Sequence, residues 1–190
     1  MIVRHREKLG DSSSDKDGGP NLSMRGSARA AALPQLFAPA KTPYGCALSI
    51  GKSQGFSGRY VAVKIRGKEP RFLTPAFLIA TQASKSSNRP VETITPLSAA
   101  LNLTYDHKHA DGDYTKAASD ILTNSKYEGA AVLVCWHHGN IPNLAAALGV
   151  AKPPAWPGTV FDRVWVISYS GGKATLANDA QRLLHGDSSK

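Results

Sequence analysis

Short, wholly apolar runs alternate along this chain with longer stretches that are apolar on one side only. Ala130-Ala131-Val132-Leu133-Val134-Cys135-Trp136 is the clearest run. It is too short for a typical helix and has no polar position, so it predicts a central strand buried on both faces. Ala76-Phe77-Leu78-Ile79-Ala80-Thr81 predicts a second such strand. Leu103-Thr104-Tyr105 predicts a brief third, and Val160 to Tyr169 a longer one. At the start, Ile2-Val3 runs into Arg4-His5 and then a Ser/Asp/Gly-rich stretch from Asp11 to Gly19, which predicts a short strand opening into a loop.

The helical stretches lie between these runs. Leu22 to Leu33 reads as a helix with Ser23 as its N-cap and alanines supplying propensity; Pro34 predicts a kink or an end. A helix is expected from Arg89 to about Leu101, with Pro90 in its first turn and Pro96 dividing it into two shorter pieces. Asp111 to Asp113 reads as a turn, followed by an amphipathic helix over Tyr114 to Lys126 with Ala117, Ile121 and Leu122 inward. Ile141 to Leu148 follows the strongest strand, with Pro142 near its start and Gly149 at its end. Gly171-Gly172 predicts a tight hairpin turn into Lys173 to Leu176. Residues 39–72 are rich in Gly, Ser, Lys and Pro, and are expected to form an elaborated loop or insertion. Their one alternating run, Arg59 to Ile65, suits an edge strand.

Strand and helix in alternation predict an α/β fold: a three-layer sandwich around a largely parallel central sheet. A single domain over residues 1–184 with a polar tail at 185–190 accounts for the length. At 42% hydrophobic residues the 190-residue chain is globular in composition, and no apolar run reaches the length of a membrane span. No signal peptide is visible and a cytoplasmic location is the default, although the abrupt start leaves room for an upstream leader. Cys46 and Cys135 are too few for a disulfide framework or a zinc knuckle, and Cys135 reads as a buried thiol. The formal net charge of +9 favours anionic partners, above all phosphorylated small molecules or free phosphate and sulfate. Scattered Lys and Arg without an RNP-type aromatic motif argue against nucleic acid.

Charge gathers where the strands are expected to end. Arg4-His5 closes the first strand, Arg89 opens a helix after the second, and His138 follows the central one. In a parallel sheet these ends share one edge. Two arginines and two histidines there would form a dianion site, because guanidinium forks match phosphate oxygens and helix N-termini add partial positive charge.

With these residues in order, the chain resembles the histidine phosphatase superfamily, which includes phosphoglycerate mutase and acid phosphatases. The matching segments are Arg4-His5-Arg6-Glu7-Lys8, Leu22-Ser23-Met24-Arg25-Gly26, Ser87-Asn88-Arg89-Pro90-Val91-Glu92-Thr93 and Val134-Cys135-Trp136-His137-His138-Gly139-Asn140. The resemblance implies a phosphoglycerate mutase-like sandwich and a phosphomonoesterase that needs no metal or other cofactor. It implies His5 as the nucleophile that accepts the phosphoryl group, Arg4 and Arg89 as its anion ligands, and His138 as a stabiliser of transition-state charge. Asn140 joins the phosphate ligands, and Arg6, Lys8, Ser87 and His137 are possible pocket residues.

Position 6 departs from the family, which prefers a small residue there; Arg6 is expected either to crowd the pocket or to add a cation. Gly139 replaces the aspartate that donates the proton in acid phosphatases, so the leaving-group acid falls to Asp113, with Asp111 and His137 as alternatives. Glu7 is expected to pair with a cation or a backbone N–H, and His107 and His109 to be solvated. Two other readings remain. Asp106-His107-Lys108-His109-Ala110-Asp111, with His137 or His138, has the donor types of a zinc hydrolase. A phosphate-binding or interaction module, with Arg6 blocking turnover, would use the same fold.

Overall fold

Strand β1 (Ile2–Arg4) is three residues long and buried throughout, because it lies in the middle of the sheet. The computed structural model describes residues 1–7, 19–38 and 70–188. Within them the chain continues through α1 (Met24–Ala32), α2 (Pro34–Phe37), β2 (Phe77–Ala80), α3 (Arg89–Leu101), β3 (Tyr105–Asp106), α4 (Tyr114–Thr123), β4 (Val132–Trp136), α5 (Ile141–Ala147), β5 (Arg163–Ser170) and β6 (Lys173–Ala180). The strands form one sheet in the order β3-β2-β4-β1-β5-β6. β3, β2, β4 and β1 run parallel to one another, whereas β5 is antiparallel to β1 and to β6. The fold is thus mixed α/β with a mostly parallel sheet, and its parallel strands all deliver their carboxyl ends to one edge.

Side chains alternate across the pleat and build a core on each face. Ile2, Ile79, Val134, Trp136 and Trp165 face one way, toward Ala117 and Ala118 of α4 and Ile141, Leu144 and Ala145 of α5. Val3, Leu78, Ala80, Leu133, Cys135 and Val164 face the other, toward Leu36 and Phe37 of α2 and Ile94 and Leu97 of α3. All five residues of β4 are buried, as its unbroken apolar run requires. Among the described residues, no helix is long and apolar enough to cross a membrane.

Local signals act as the sequence indicates at several points. Ser23 caps α1 by accepting from the Gly26 N–H at 3.0 Å, and α1 ends before Pro34, which starts α2 at its first position. Gly171 and Gly172 have φ of 56° and 73°, the left-handed pair that a two-residue hairpin turn requires.

Other expectations need correction. α3 runs unbroken through Pro96. The proline is only half-buried, while Thr93, Ile94 and Leu97 are packed inside, so tertiary packing outweighs the missing N–H. α4 ends at Thr123, and a separate 3₁₀ turn, Ser125–Tyr127, follows it. Leu122 is not inward: it is 50% exposed and lines a shallow apolar groove with Leu73, Tyr127 and Tyr169. β6 is longer than the Lys173–Leu176 segment. Arg59–Ile65 and most of the 39–72 segment lie outside the described residues. Phe72, at its end, stacks on Phe37 with ring centroids 5.4 Å apart. In the expected polar tail, Asp187 accepts from Arg29 and from the Leu183 and Leu184 N–H groups.

Leu133 is fully buried at the centre of the sheet. We expect Leu133→Ala to cost about 2–5 kcal/mol through lost transfer energy and a cavity. Urea denaturation measures this, and a loss below about 1 kcal/mol would show that the surrounding core closes over the gap.

Candidate functional site

The carboxyl edge of the parallel strands gathers His5, Thr81 and His137, each one residue beyond β1, β2 and β4 respectively. The backbone continues the sheet pairing there: the His5 N–H donates to the Trp136 carbonyl at 3.1 Å, and the Thr81 N–H to the Cys135 carbonyl at 3.2 Å. Side chains that follow the strands are therefore held by strand geometry, although they lie in loops.

His5 is 3% exposed. Its Nδ1 lies 2.8 Å from the Arg6 carbonyl oxygen. A carbonyl only accepts, so Nδ1 carries the proton and Nε2 of the neutral ring carries the lone pair. Burial pushes the pKa of His5 from its ordinary 6.5 down to about 2; the bond to Arg6 opposes this, and His137, Arg4 and Arg89 lower it further. The ring is therefore a neutral base set among fixed cations.

Arg4 is 1% exposed and tightly held. Its Nη1 donates to the Gly158 and Val160 carbonyls at 2.5 and 3.1 Å, and its Cζ sits 3.6 Å from the centre of the Phe161 ring. Arg89, at the start of α3, donates from Nη1 to the Gly19 carbonyl at 3.2 Å. Ser87, just before it, is buried, and its hydroxyl has no hydrogen-bond partner among the described residues; the same holds for Thr81. Sequence reading missed Thr81, although its place one residue beyond a parallel strand is the usual position for a ligand-facing side chain.

The two histidines after β4 part company. The His137 ring meets His5 edge-on, with centroids 4.9 Å apart. The His138 ring lies beside Gly158, where an added Cβ would come within 3.4 Å of Nε2. His138 thus borders the segment that Arg4 holds, and His137 borders the nucleophile candidate itself. Burial lowers the pKa of His137, Asp111 raises it, and Arg89, His138 and Arg4 lower it.

Asp111 is placed by long-range bonds. Its backbone carbonyl accepts from Trp136 Nε1 at 3.1 Å and from Asn140 Nδ2 at 3.3 Å, and its Oδ2 accepts from Asn140 Nδ2 at 2.8 Å. Its Oδ1 is buried and has no hydrogen-bond partner among the described residues. Asn140 therefore directs its amide to Asp111. Asp113 instead forms an ion pair with Lys116, one helical turn on, at 2.8 Å. That contact lowers its pKa and leaves a charged carboxylate, a poor proton donor.

Arg6 does not share the surroundings of His5. It is fully buried, and its Nη1 donates to the Phe161 carbonyl at 3.0 Å and to Gln181 Oε1 at 2.6 Å. Glu7 pairs with a cation as expected: Arg29 donates to both its oxygens, at 2.8 to 3.1 Å. The Glu7 carbonyl accepts from the Ser23 N–H at 3.0 Å, and a Cβ on Gly26 would lie 2.3 Å from that oxygen. The Leu22–Gly26 motif is thus a docking surface for the loop after β1, and only glycine fits at its close approach. Lys8 lies outside the described residues.

His107 is exposed, but His109 is buried rather than solvated, and its Nε2 is 3.0 Å from Asp120 Oδ2. Among the described residues no three His, Cys, Asp or Glu side chains gather as metal ligands. Cys135 is a buried free thiol whose pKa burial pushes up to about 12. No protein-family model and no curated protein matches the chain.

A buried neutral histidine makes stability depend on acid. Below pH 6.5 the unfolded chain binds a proton that native His5 refuses until about pH 2, so stability falls as pH falls through that window. The slope is at most about 1.4 kcal/mol per pH unit for one group. His5→Asn is expected to flatten the acid limb of a urea-derived stability profile; parallel profiles for variant and wild type would contradict the buried neutral ring.

Proposed function

We propose that this protein is a phosphomonoester hydrolase that acts on a small phosphorylated substrate through a phosphohistidine at His5, on a phosphoglycerate mutase-like fold, without a metal ion in the chemistry. The observation that carries this reading is the state of His5: buried, neutral, with the proton on Nδ1 and the lone pair on Nε2, in the electrostatic reach of Arg4 and Arg89. An imidazole of this kind is a nucleophile at neutral pH, and fixed cations beside it suit the oxygens of a phosphoryl group.

In the first step Nε2 attacks phosphorus in line, the bond from phosphorus to the ester oxygen breaks, and the leaving oxygen takes a proton from Asp111. In the second step water attacks the phosphoryl group, the N–P bond breaks, and Asp111 recovers a proton from the water. The products are an alcohol and inorganic phosphate. The Arg6 carbonyl holds Nδ1–H throughout and offsets the positive charge that the ring acquires on phosphorylation. His138, beside Gly158, donates to a phosphoryl oxygen, and His137 packs edge-on against His5. Asp111 is preferred to Asp113 because one of its carboxyl oxygens is buried with no hydrogen-bond partner among the described residues, whereas Asp113 is committed to Lys116. The anchoring of the Arg6 guanidinium to Phe161 and Gln181 argues against a pocket blocked by that side chain.

Hydrolysis of p-nitrophenyl phosphate in the presence of a chelator tests the class. The wild type is expected to turn over and His5→Ala to be inactive yet folded; activity in His5→Ala would remove His5 as nucleophile. A second comparison tests the acid. Asp111→Asn is expected to slow hydrolysis of an alkyl phosphate by about 10²–10⁴-fold, with a smaller loss on the nitrophenyl ester, whose leaving group needs no proton. Asp113→Asn is expected to leave both rates unchanged. The opposite ranking of the two variants would move the acid to Asp113.

A further inference from the structure

Arg6 occupies an expensive position. Its guanidinium is fully buried; Nη1 has two acceptors, while Nε and Nη2 have none among the described residues. Burial lowers its pKa to about 10, which still leaves it charged at neutral pH. A buried cation with idle N–H groups is a poor way to gain stability, since an apolar side chain of similar volume usually serves the fold as well or better.

Its contacts show what else it does. Arg4 and Arg6 flank His5 in the chain, and both fasten the same segment. Arg4 binds the carbonyls of Gly158 and Val160, and Arg6 binds the carbonyl of Phe161. Arg6 also reaches Gln181 just beyond β6, while its own N–H donates to Thr93 Oγ1 of α3 at 3.0 Å. Its backbone is thereby tied to α3 and its side chain to two further segments. Arg6 meets the His5 ring through its carbonyl, which receives Nδ1–H at 2.8 Å.

Resting on the phosphohistidine reading above, we propose that Arg6 is a positioning residue: its buried guanidinium locks the backbone of residue 6 so that the carbonyl holds His5 in the Nδ1–H tautomer, with Nε2 free to attack. Arg6, a departure from the family pattern, then serves the nucleophile through its backbone and stays out of the pocket. Without the anchor, the carbonyl can turn, the Nε2–H tautomer becomes populated, and that fraction of the protein cannot attack. A shift of about an ångström in such a group is enough to cost about a hundredfold in rate.

The test uses Arg6→Met, which keeps an unbranched apolar stem and removes the hydrogen bonds of the guanidinium. Nitrogen-15 NMR of the histidine rings reads the His5 tautomer directly, and p-nitrophenyl phosphate turnover reads its consequence. The expected result is a variant that still folds, with a mixed His5 tautomer and a large fall in kcat. A folded variant that retains the single Nδ1–H tautomer, or one that turns over at the wild-type rate, overturns the proposal. If Arg6→Met does not fold, Gln181→Leu frees one anchor of the guanidinium and is measured in the same two ways: a mixed tautomer with slowed turnover supports the proposal, and a single Nδ1–H tautomer or an unchanged rate overturns it. The tautomer measurement needs no activity, so a wild type that fails to hydrolyse phosphate esters defeats the phosphohistidine reading separately from this one.

Discussion

The parallel pairing of β1 with β4 is the contact on which the rest of the molecule depends. Three residues, Ile2, Val3 and Arg4, are set against Val134, Cys135 and Trp136 and held on their other side by β5. So short a strand is stable only because both edges are paired and both faces covered. That register brings the end of β1 level with the end of β4 and sets the His5 and His137 rings against each other. A slip of one residue would turn Arg4 into the opposite core and carry His5 away from the shared edge.

Charge is concentrated just beyond that pairing, and its management explains much of the local sequence. Arg4, His5, Arg6 and Glu7 are consecutive and all buried. Each is resolved differently: Arg4 by carbonyls and the Phe161 ring, His5 by staying neutral, Arg6 by a carbonyl and an amide, and Glu7 by Arg29. Arg29 then bridges from Glu7 to Asp187 at 2.6 Å, so the last described segment closes against the loop that follows the nucleophile candidate. Breaking one member of such a chain leaves its partner buried and uncompensated, which costs far more than the pair itself contributes.

The regular elements could be read in the chain because their signals are local. The apolar run of β4, the Ser23 cap and the Gly171-Gly172 turn each depend on neighbours within a few residues. Pro96 misled for the opposite reason: its helix is held by Ile94 and Leu97 packing on distant strands. The site divides in the same way. Its edge followed from where the parallel strands end, and the ion pair of Asp113 with Lys116 is an ordinary one-turn spacing that could have been anticipated. The placement of Asp111 rests on Trp136 and Asn140, twenty-five and more residues away in sequence, and the turn of the Arg6 side chain rests on Gln181. No local pattern carries those contacts. Residue identity could mark both histidines after β4 as candidates, but only the fold shows which ring meets His5.

The central claim is a covalent bond between phosphorus and Nε2 of His5, and trapping that bond tests it most directly. The protein would be mixed with a phosphorus-32-labelled phosphomonoester in the presence of a chelator, quenched in alkali, and the label assigned to a peptide. The account predicts an alkali-stable, acid-labile phosphoenzyme on the peptide that carries His5, absent from His5→Ala. Hydrolysis of the ester with no such adduct, or an adduct that persists in His5→Ala, would contradict it.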